Sequence, residues 1–243
     1  MIDRPPAPPW RVFAALTLAS LLALGTLTAC SSKKEDAPEL TPAETMAAAK
    51  TKLDETPGVK VVLTSSGLPD GVNSVAAADG VGNSSPAFKG TIDVTLSGQQ
   101  FQVPVVAVGD KVYAQIPLTT GWSDIDPGDY NAPNPAMLLS RDSGFSALLV
   151  ATSALKKGES QRGGTDNKEI LTSYTGTVDG ATMAGIIPTA TGDFDATYTV
   201  GDDNRVREMA FTGTFYPDTE PMTYTVNFSA YDVATEITPP EGV

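Results

Sequence analysis

The segment Thr91-Ile92-Asp93-Val94-Thr95-Leu96 alternates polar and apolar residues without exception. Ile92, Val94 and Leu96 therefore share one face of a strand. A two-residue turn at Gly98-Gln99 sets Leu96 beside Phe101, Val94 beside Val103 and Ile92 beside Val105. A second turn at Gly109-Asp110 sets Ala107 beside Val112, Val105 beside Ala114 and Val103 beside Ile116. Both turns gather one apolar set on the same face. The opposite face carries Asp93, Thr95, Gln102 and Gln115, with Val106, Val108 and Tyr113 as exceptions. A one-residue slip would scatter this set across both faces, so the pattern fixes strand parity firmly.

More strands continue the theme. Val59 to Ser65 reads as a strand, with Val72 to Val81 as its partner. Ala154–Gly163 and Lys168–Val178 read as a polar hairpin. Around an Asp202-Asp203 turn, Phe194 pairs with Phe211 and Ala196 with Met209; around the Pro217 loop, Phe215 pairs with Met222 and Phe211 with Val226. One face again collects the large side chains, from Phe194 and Tyr198 to Val226 and Phe228. Helices are few and short. Thr41-Pro42-Ala43-Glu44 starts one, with a capping box and proline in its first turn, and Met46, Ala49 and Leu53 on one side. Others are expected over Asn134–Ser140, from Phe145 onward, and over Thr182–Ile187.

About ten strands thus offer an apolar face to a handful of short helices, and a sheet must cover such a face. Two outcomes are open. Either the core is fully packed, or the sheet curls round the helices and leaves an apolar cavity able to hold a lipid. Each buried methylene is worth about 0.8 kcal/mol, so a sixteen-carbon chain gains on the order of 12 kcal/mol before entropy costs. No polar recognition motif is needed for that.

The N-terminus sets the compartment. Arg4 and Arg11 precede an apolar run from Val12 to Leu27 that is short for a membrane span. Leu27-Thr28-Ala29-Cys30 follows, containing the only cysteine, and reads as a lipoprotein cleavage and lipidation signal. Residues 1–29 are then a signal peptide, and 30–41 a lipidated cysteine with a flexible tether of about 18 Å root-mean-square span. A domain over 42–238 and a tail over 239–243 complete the chain. The expected location is the extracytoplasmic face of the cell membrane, with the lipid anchor as the membrane contact.

The chemistry is sparse. There is no histidine, and the formal net charge is −13. The missing histidine removes the commonest general base and metal ligand, and the acidity argues against nucleic acid. Asp124, Asp126 and Asp129 lack the spacing of a calcium loop. No serine stands in a nucleophile-elbow pattern. An enzyme is not expected, and neither is a metal or cofactor.

Several segments carry a family resemblance: Gly121-Trp122-Ser123-Asp124, Tyr130-Asn131-Ala132-Pro133 leading into Pro135–Leu139, Asp142-Ser143-Gly144-Phe145 continuing to Leu149, and Val105–Ala114. Val178-Asp179-Gly180 before Ile187-Pro188 adds to them. In this order they resemble the mycobacterial LppX/LprA/LprF/LprG lipoproteins, most closely the LprG-like members. The resemblance implies an α+β fold: a strongly curved antiparallel half-barrel with short helices on the concave face, enclosing a hydrophobic cavity. It implies binding of multi-acylated lipids or glycolipids and their transfer across the envelope, alongside an efflux transporter. The expected wall comprises Ile92, Val94, Leu96, Phe101, Val103, Val105, Val112 and Ala114, with Phe211 and Val226. Met137, Leu138, Phe145, Leu148 and Leu149 are expected opposite. The alternative is an accessory module of a transporter with a filled core and no cargo.

Overall fold

The computed structural model describes residues 39–243. The expected signal segment, Cys30 and the tether up to Pro38 lie outside the described residues. Helix α1 (Pro42–Glu55) begins as its sequence requires. The Thr41 hydroxyl accepts the Glu44 N–H at 3.3 Å, and the Glu44 carboxylate accepts the Thr41 N–H at 2.8 Å. This closes the capping box and holds the Glu44 carboxyl below its usual range, through hydrogen bonds from Thr41. Met46, Ala49 and Leu53 are buried on one side.

Six strands follow: β1 (Val59–Ser66), β2 (Ser74–Asn83), β3 (Ala87–Leu96), β4 (Gln99–Val108), β5 (Lys111–Ala114) and β6 (Ser123–Ile125). A long connection bears 3-10 turns at Pro127–Tyr130 and Met137–Leu139 and the helix α2 (Phe145–Ala151). Then come β7 (Ser153–Gly163), β8 (Glu169–Val178), helix α3 (Gly180–Ala184), β9 (Thr191–Gly201), β10 (Val206–Thr214) and β11 (Met222–Tyr231). All eleven strands form one antiparallel sheet, in the order β6-β5-β4-β3-β2-β1-β11-β10-β9-β8-β7. Two meanders are joined where β1 pairs with β11. The sheet is not closed, since β6 and β7 are its two edges.

That topology decides what covers the apolar face. The chain leaves the sheet at one edge, β6, and re-enters at the other, β7. Residues 126–152 must therefore cross from edge to edge, and they carry the apolar turns and α2. The sheet is also curved. β5 and β10 are six strand spacings apart, roughly 29 Å in a flat sheet, yet Ala114 and Phe211 line one cavity. β7, an edge strand, is mostly exposed and carries Lys156, Lys157 and Arg162, charges that discourage edge-to-edge pairing.

Strand parity follows the sequence pattern, but three hairpin registers differ from the expected ones by two residues. In β3–β4 the turn is Ser97-Gly98, so Leu96 faces Gln99, Val94 faces Phe101 and Ile92 faces Val103. Both turn residues have positive φ, +49° and +76°, as a tight hairpin turn needs. Ser97 accepts this because its N–H donates to Asn73 Oδ1 at 2.9 Å, a contact from the β1–β2 loop. Between β9 and β10, Phe211 faces Ala196 and Met209 faces Tyr198. The loop there is longer than two residues, with Asn204 at φ +58°, and the register shifts again between Val206 and Glu208. Between β10 and β11, Phe211 faces Tyr224 and Met209 faces Val226. An even shift keeps every side chain on its face. The Gly109-Asp110 hairpin has the expected register, Ala107 with Val112 and Val105 with Ala114, but β5 ends before Ile116.

The remaining differences are local. The helix expected over Asn134–Ser140 is a 3-10 turn, and the one expected over Thr182–Ile187 starts earlier, at Gly180, where Asp179 caps it through the Thr182 N–H at 3.0 Å. Val106 and Val108, apolar on the outer face, are covered by the C-terminal segment. Ile237 packs with Ala87 and Val106, against Val108 and Trp122.

Candidate functional site

The cavity begins with short side chains. The ladder registers align Val61, Gly80, Gly90, Val105, Ala114 and Ser123 in one row across the inner face. Glycine and alanine leave the floor low where neighbouring strands would raise bulk. Phe88 lies down across this floor, since a Cβ on Gly80 would fall 2.6 Å from its ring carbons. The β8–β11 half of the same face is filled instead. Phe194 and Phe215 meet at a tilt with ring centroids 4.7 Å apart, Tyr198 meets Phe211 at 5.9 Å, and Phe215 meets Tyr224 at 4.8 Å. The space lies on the side where the residues are small.

The roof comes from the edge-to-edge connection. Pro127, Tyr130–Pro133, Pro135, Leu138 and Leu139, then Phe145 and Leu148 of α2, close over the floor. Ile186 and Ile187 after α3 close one side, and Ile116, Pro117 and Leu96 form part of the rim. Leu139 is anchored in a glycine notch, because a Cβ on Gly82 would sit 1.9 Å from Leu139 Cδ1. Phe145 is pinned to the sheet by an edge-on contact with Phe228, with centroids 6.0 Å apart. The cavity, which is partly open, measures about 170 Å³. A single water needs only on the order of 10–15 Å³ in comparable terms, so this is no ordinary packing defect.

The structure brings most of the expected residues to this wall. Ile92, Val94, Leu96, Val103, Val105, Val112, Ala114, Leu138, Phe145, Leu148, Phe211 and Val226 line it. Three expected residues do not. Phe101 is half-buried at a stretch of β4 that has no outer neighbour, since β5 pairs only from Val105 onward. Met137 is half-buried and turned away, as successive side chains of a 3-10 turn point about 120° apart. Leu149 is fully buried but sits on the α1 side of α2. It lies about 60° round the helix from Ser146, which accepts a hydrogen bond from Lys50 of α1. The wall also includes residues that pattern reading missed: Leu63, Val75, Ala78 and Phe88 from β1–β3, and Tyr216 and Tyr224. The glycines at 80 and 90 within otherwise regular strands were the available signal.

Among the described residues, no charged side chain lines the cavity, and the polar lining residues are few. The hydroxyls of Tyr216 and Tyr224 are already bonded. Tyr224 donates to the Val75 carbonyl at 2.7 Å, so Tyr216 donates to the Tyr224 oxygen, also at 2.7 Å. Burial pushes both hydroxyls above the usual tyrosine range, and they remain neutral. The site can therefore hold an apolar solute and offers it no charged group. The aspartates near Trp122 lie elsewhere. Asp124 pairs with Lys111 at 2.6 Å, and Asp126 accepts the Gly128 N–H at 2.8 Å to cap its turn. Among the described residues no three acidic side chains converge on a common point.

Two solved structures share this architecture. LprF from Mycobacterium bovis aligns over 85% of this chain and 100% of its own, with 14% identity and a TM-score of 0.64. The Mycobacterium tuberculosis lipoprotein LppX aligns over 81% of this chain and 98% of its own, with 16% identity and a TM-score of 0.58. At those identities the likeness establishes the fold. Compared with curated protein sequences, the chain has no significant match. A model of the LppX_LprAFG lipoproteins matches residues 41–238, from the N-cap of α1 to just past Ile237. The chain therefore belongs to the LppX/LprAFG lipoprotein family.

Proposed function

We propose that this lipoprotein binds the acyl chains of a multi-acylated lipid or glycolipid in the cavity and carries the lipid across the cell envelope. The observation that supports this most is the uncharged cavity of about 170 Å³ under a roof of prolines and leucines. Acyl chains need no polar partner for affinity, and the wall provides almost none. Cys30 takes a diacylglycerol thioether, after which the tether holds the domain at the extracytoplasmic face of the cell membrane. One acyl chain anchors marginally and two or more hold firmly. An efflux transporter is the proposed partner in transfer. The protein acts as a carrier and catalyses no reaction.

Ile92 and Val94 are half-buried on the cavity wall, which makes them the test. In a filled core, Ile92→Trp or Val94→Trp would cost about 1–3 kcal/mol through overpacking. In a carrier, the ring occupies space meant for lipid. The expected result is a delipidated protein that melts close to wild type, with much less multi-acyl lipid recovered by mass spectrometry of organic extracts. A wild-type extract free of lipid, together with a lower melting temperature for the Trp variants, would return the protein to the accessory-module reading. Separately, Cys30→Ala should leave the precursor unprocessed or release the domain. Its normal retention on membranes after a high-salt wash would refute the anchor.

A further inference from the structure

Residues Ile116–Thr119 form a β-turn. The Thr119 N–H donates to the Ile116 carbonyl at 3.1 Å, and its hydroxyl donates to the same oxygen at 2.8 Å. Pro117 takes the second position and Leu118 the third, where φ is +69°. That is a type II turn, whose third position belongs to glycine. A leucine there strains the backbone. The residue is also fully exposed to water. Glycine would relieve both penalties. The flanking residues on its N-terminal side, Ile116 and Pro117, line the cavity. The whole stretch from Gln115 to Ser123 holds no charged side chain before Asp124. The other strongly exposed apolar residues, Leu40, Val150 and Val243, are about half exposed, and no residue directly adjacent to them in the chain lines the cavity.

We propose that Leu118 is a membrane-inserting tip that seats the rim of the cavity in the acyl layer of a lipid bilayer. This rests on the carrier reading above. A protein partner is the poorer occupant, because a stable interface buries about 800 Å² per side, and one projecting leucine is far less than that. A bilayer accepts apolar side chains singly, each worth on the order of tenfold in partitioning. Tenfold is too little to recruit a free protein. It suffices to orient one already held at the surface by a lipid anchor, as a second weak signal added to the first. The net charge of −13 makes the contact apolar rather than electrostatic.

The test uses the full chain on phosphatidylcholine vesicles and a pyrene-labelled triacylglycerol as the transferred probe. Leu118→Gly and Leu118→Asp should slow uptake about tenfold while reaching the wild-type loading at equilibrium. Leu118→Phe should keep the wild-type rate. Leu118→Gly should melt at or above wild type, so its slow uptake cannot come from unfolding. Rates should be the same with added phosphatidylglycerol and at high salt. In a second arm, Leu118→Trp should show quenching by brominated phosphatidylcholine beyond that of the native tryptophans. Wild-type rates in the Gly and Asp variants, lost equilibrium loading in Leu118→Gly, or no added quenching would each overturn the proposal. If the wild type loads no probe, the carrier reading fails, and the quenching arm still decides whether the tip inserts.

Discussion

Gly82 and Tyr224 show how single residues hold the space open. A Cβ at position 82 would meet Leu139 Cδ1 at 1.9 Å and the Ala87 carbonyl at 2.8 Å. Gly82→Ala must therefore lift the Met137–Leu139 turn off the sheet, at a cost of about 1–3 kcal/mol in urea unfolding. Leu139→Ala removes the larger clash, so the double variant should be more stable than the two single losses added together. A purely additive pair would show that the notch does not seat the turn. Tyr224 lines the cavity itself. Tyr224→Phe strips the Val75 carbonyl of its donor and the Tyr216 hydroxyl of its acceptor. The expected loss is about 1–3 kcal/mol. Tyr216→Phe leaves the Tyr224–Val75 bond intact and should cost less. The reverse order in chemical denaturation would mean that Tyr216 finds a different acceptor.

Among the elements, α2 is the one that fastens the roof to the sheet. Phe145, at its first turn, meets Phe228 of β11 edge-on and borders the cavity as well. Truncating a core phenylalanine costs about 3–5 kcal/mol. Phe145→Ala should fall at the low end of that range, because part of its ring faces empty space. Phe228→Ala, at a side chain 1% exposed and absent from the cavity wall, should fall at the high end. Equal losses in denaturant titrations would argue that the roof packs as tightly as the sheet. The elements also show how far sequence reading reaches. Alternation placed Ile92, Val94 and Leu96 on the correct face, and even register errors left that face unchanged. The registers themselves escaped, because Ser97 turns with the help of Asn73, a residue from another loop. Leu149 was misplaced for a related reason: periodicity marks it as buried but does not tell which neighbour buries it. The glycine floor at Gly80 and Gly90 was printed in the sequence, yet its meaning depends on the two strands being in register side by side.

Across the described residues, the molecule keeps its charged groups away from the cavity. The chain has no histidine, so no side chain with an ordinary pKa titrates between pH 5 and 8. Among the described residues the cavity wall carries no charged side chain, and burial raises the hydroxyls of Tyr216 and Tyr224 above the usual range. Asp203 is the clearest acid-side group. Burial opposes its charge, but the Arg205 N–H and the Arg207 guanidinium outweigh that and hold the carboxyl below its ordinary value. Its contribution is present above the unfolded pKa near 4 and is lost only as the pH falls further. On the alkaline side, Tyr198, Tyr224 and Tyr231 are raised by burial. The unfolded chain ionises its tyrosines near pH 10 while these stay protonated in the fold. Stability is therefore full below pH 10 and declines above it, by about 1.4 kcal/mol per pH unit for each such tyrosine. Two consequences are expected together. Thermal stability should be flat from pH 5 to 8 and fall beyond 10, and bound acyl lipid should be retained equally across the flat range. On the carrier reading proposed above, release is then expected on contact with an acceptor bilayer or partner, not on a change of pH. Equilibrium retention of a pyrene-labelled lipid, measured at pH 5, 6.5 and 8 without acceptor vesicles, checks this. A several-fold loss at either end would show that a titrating group controls the cavity after all.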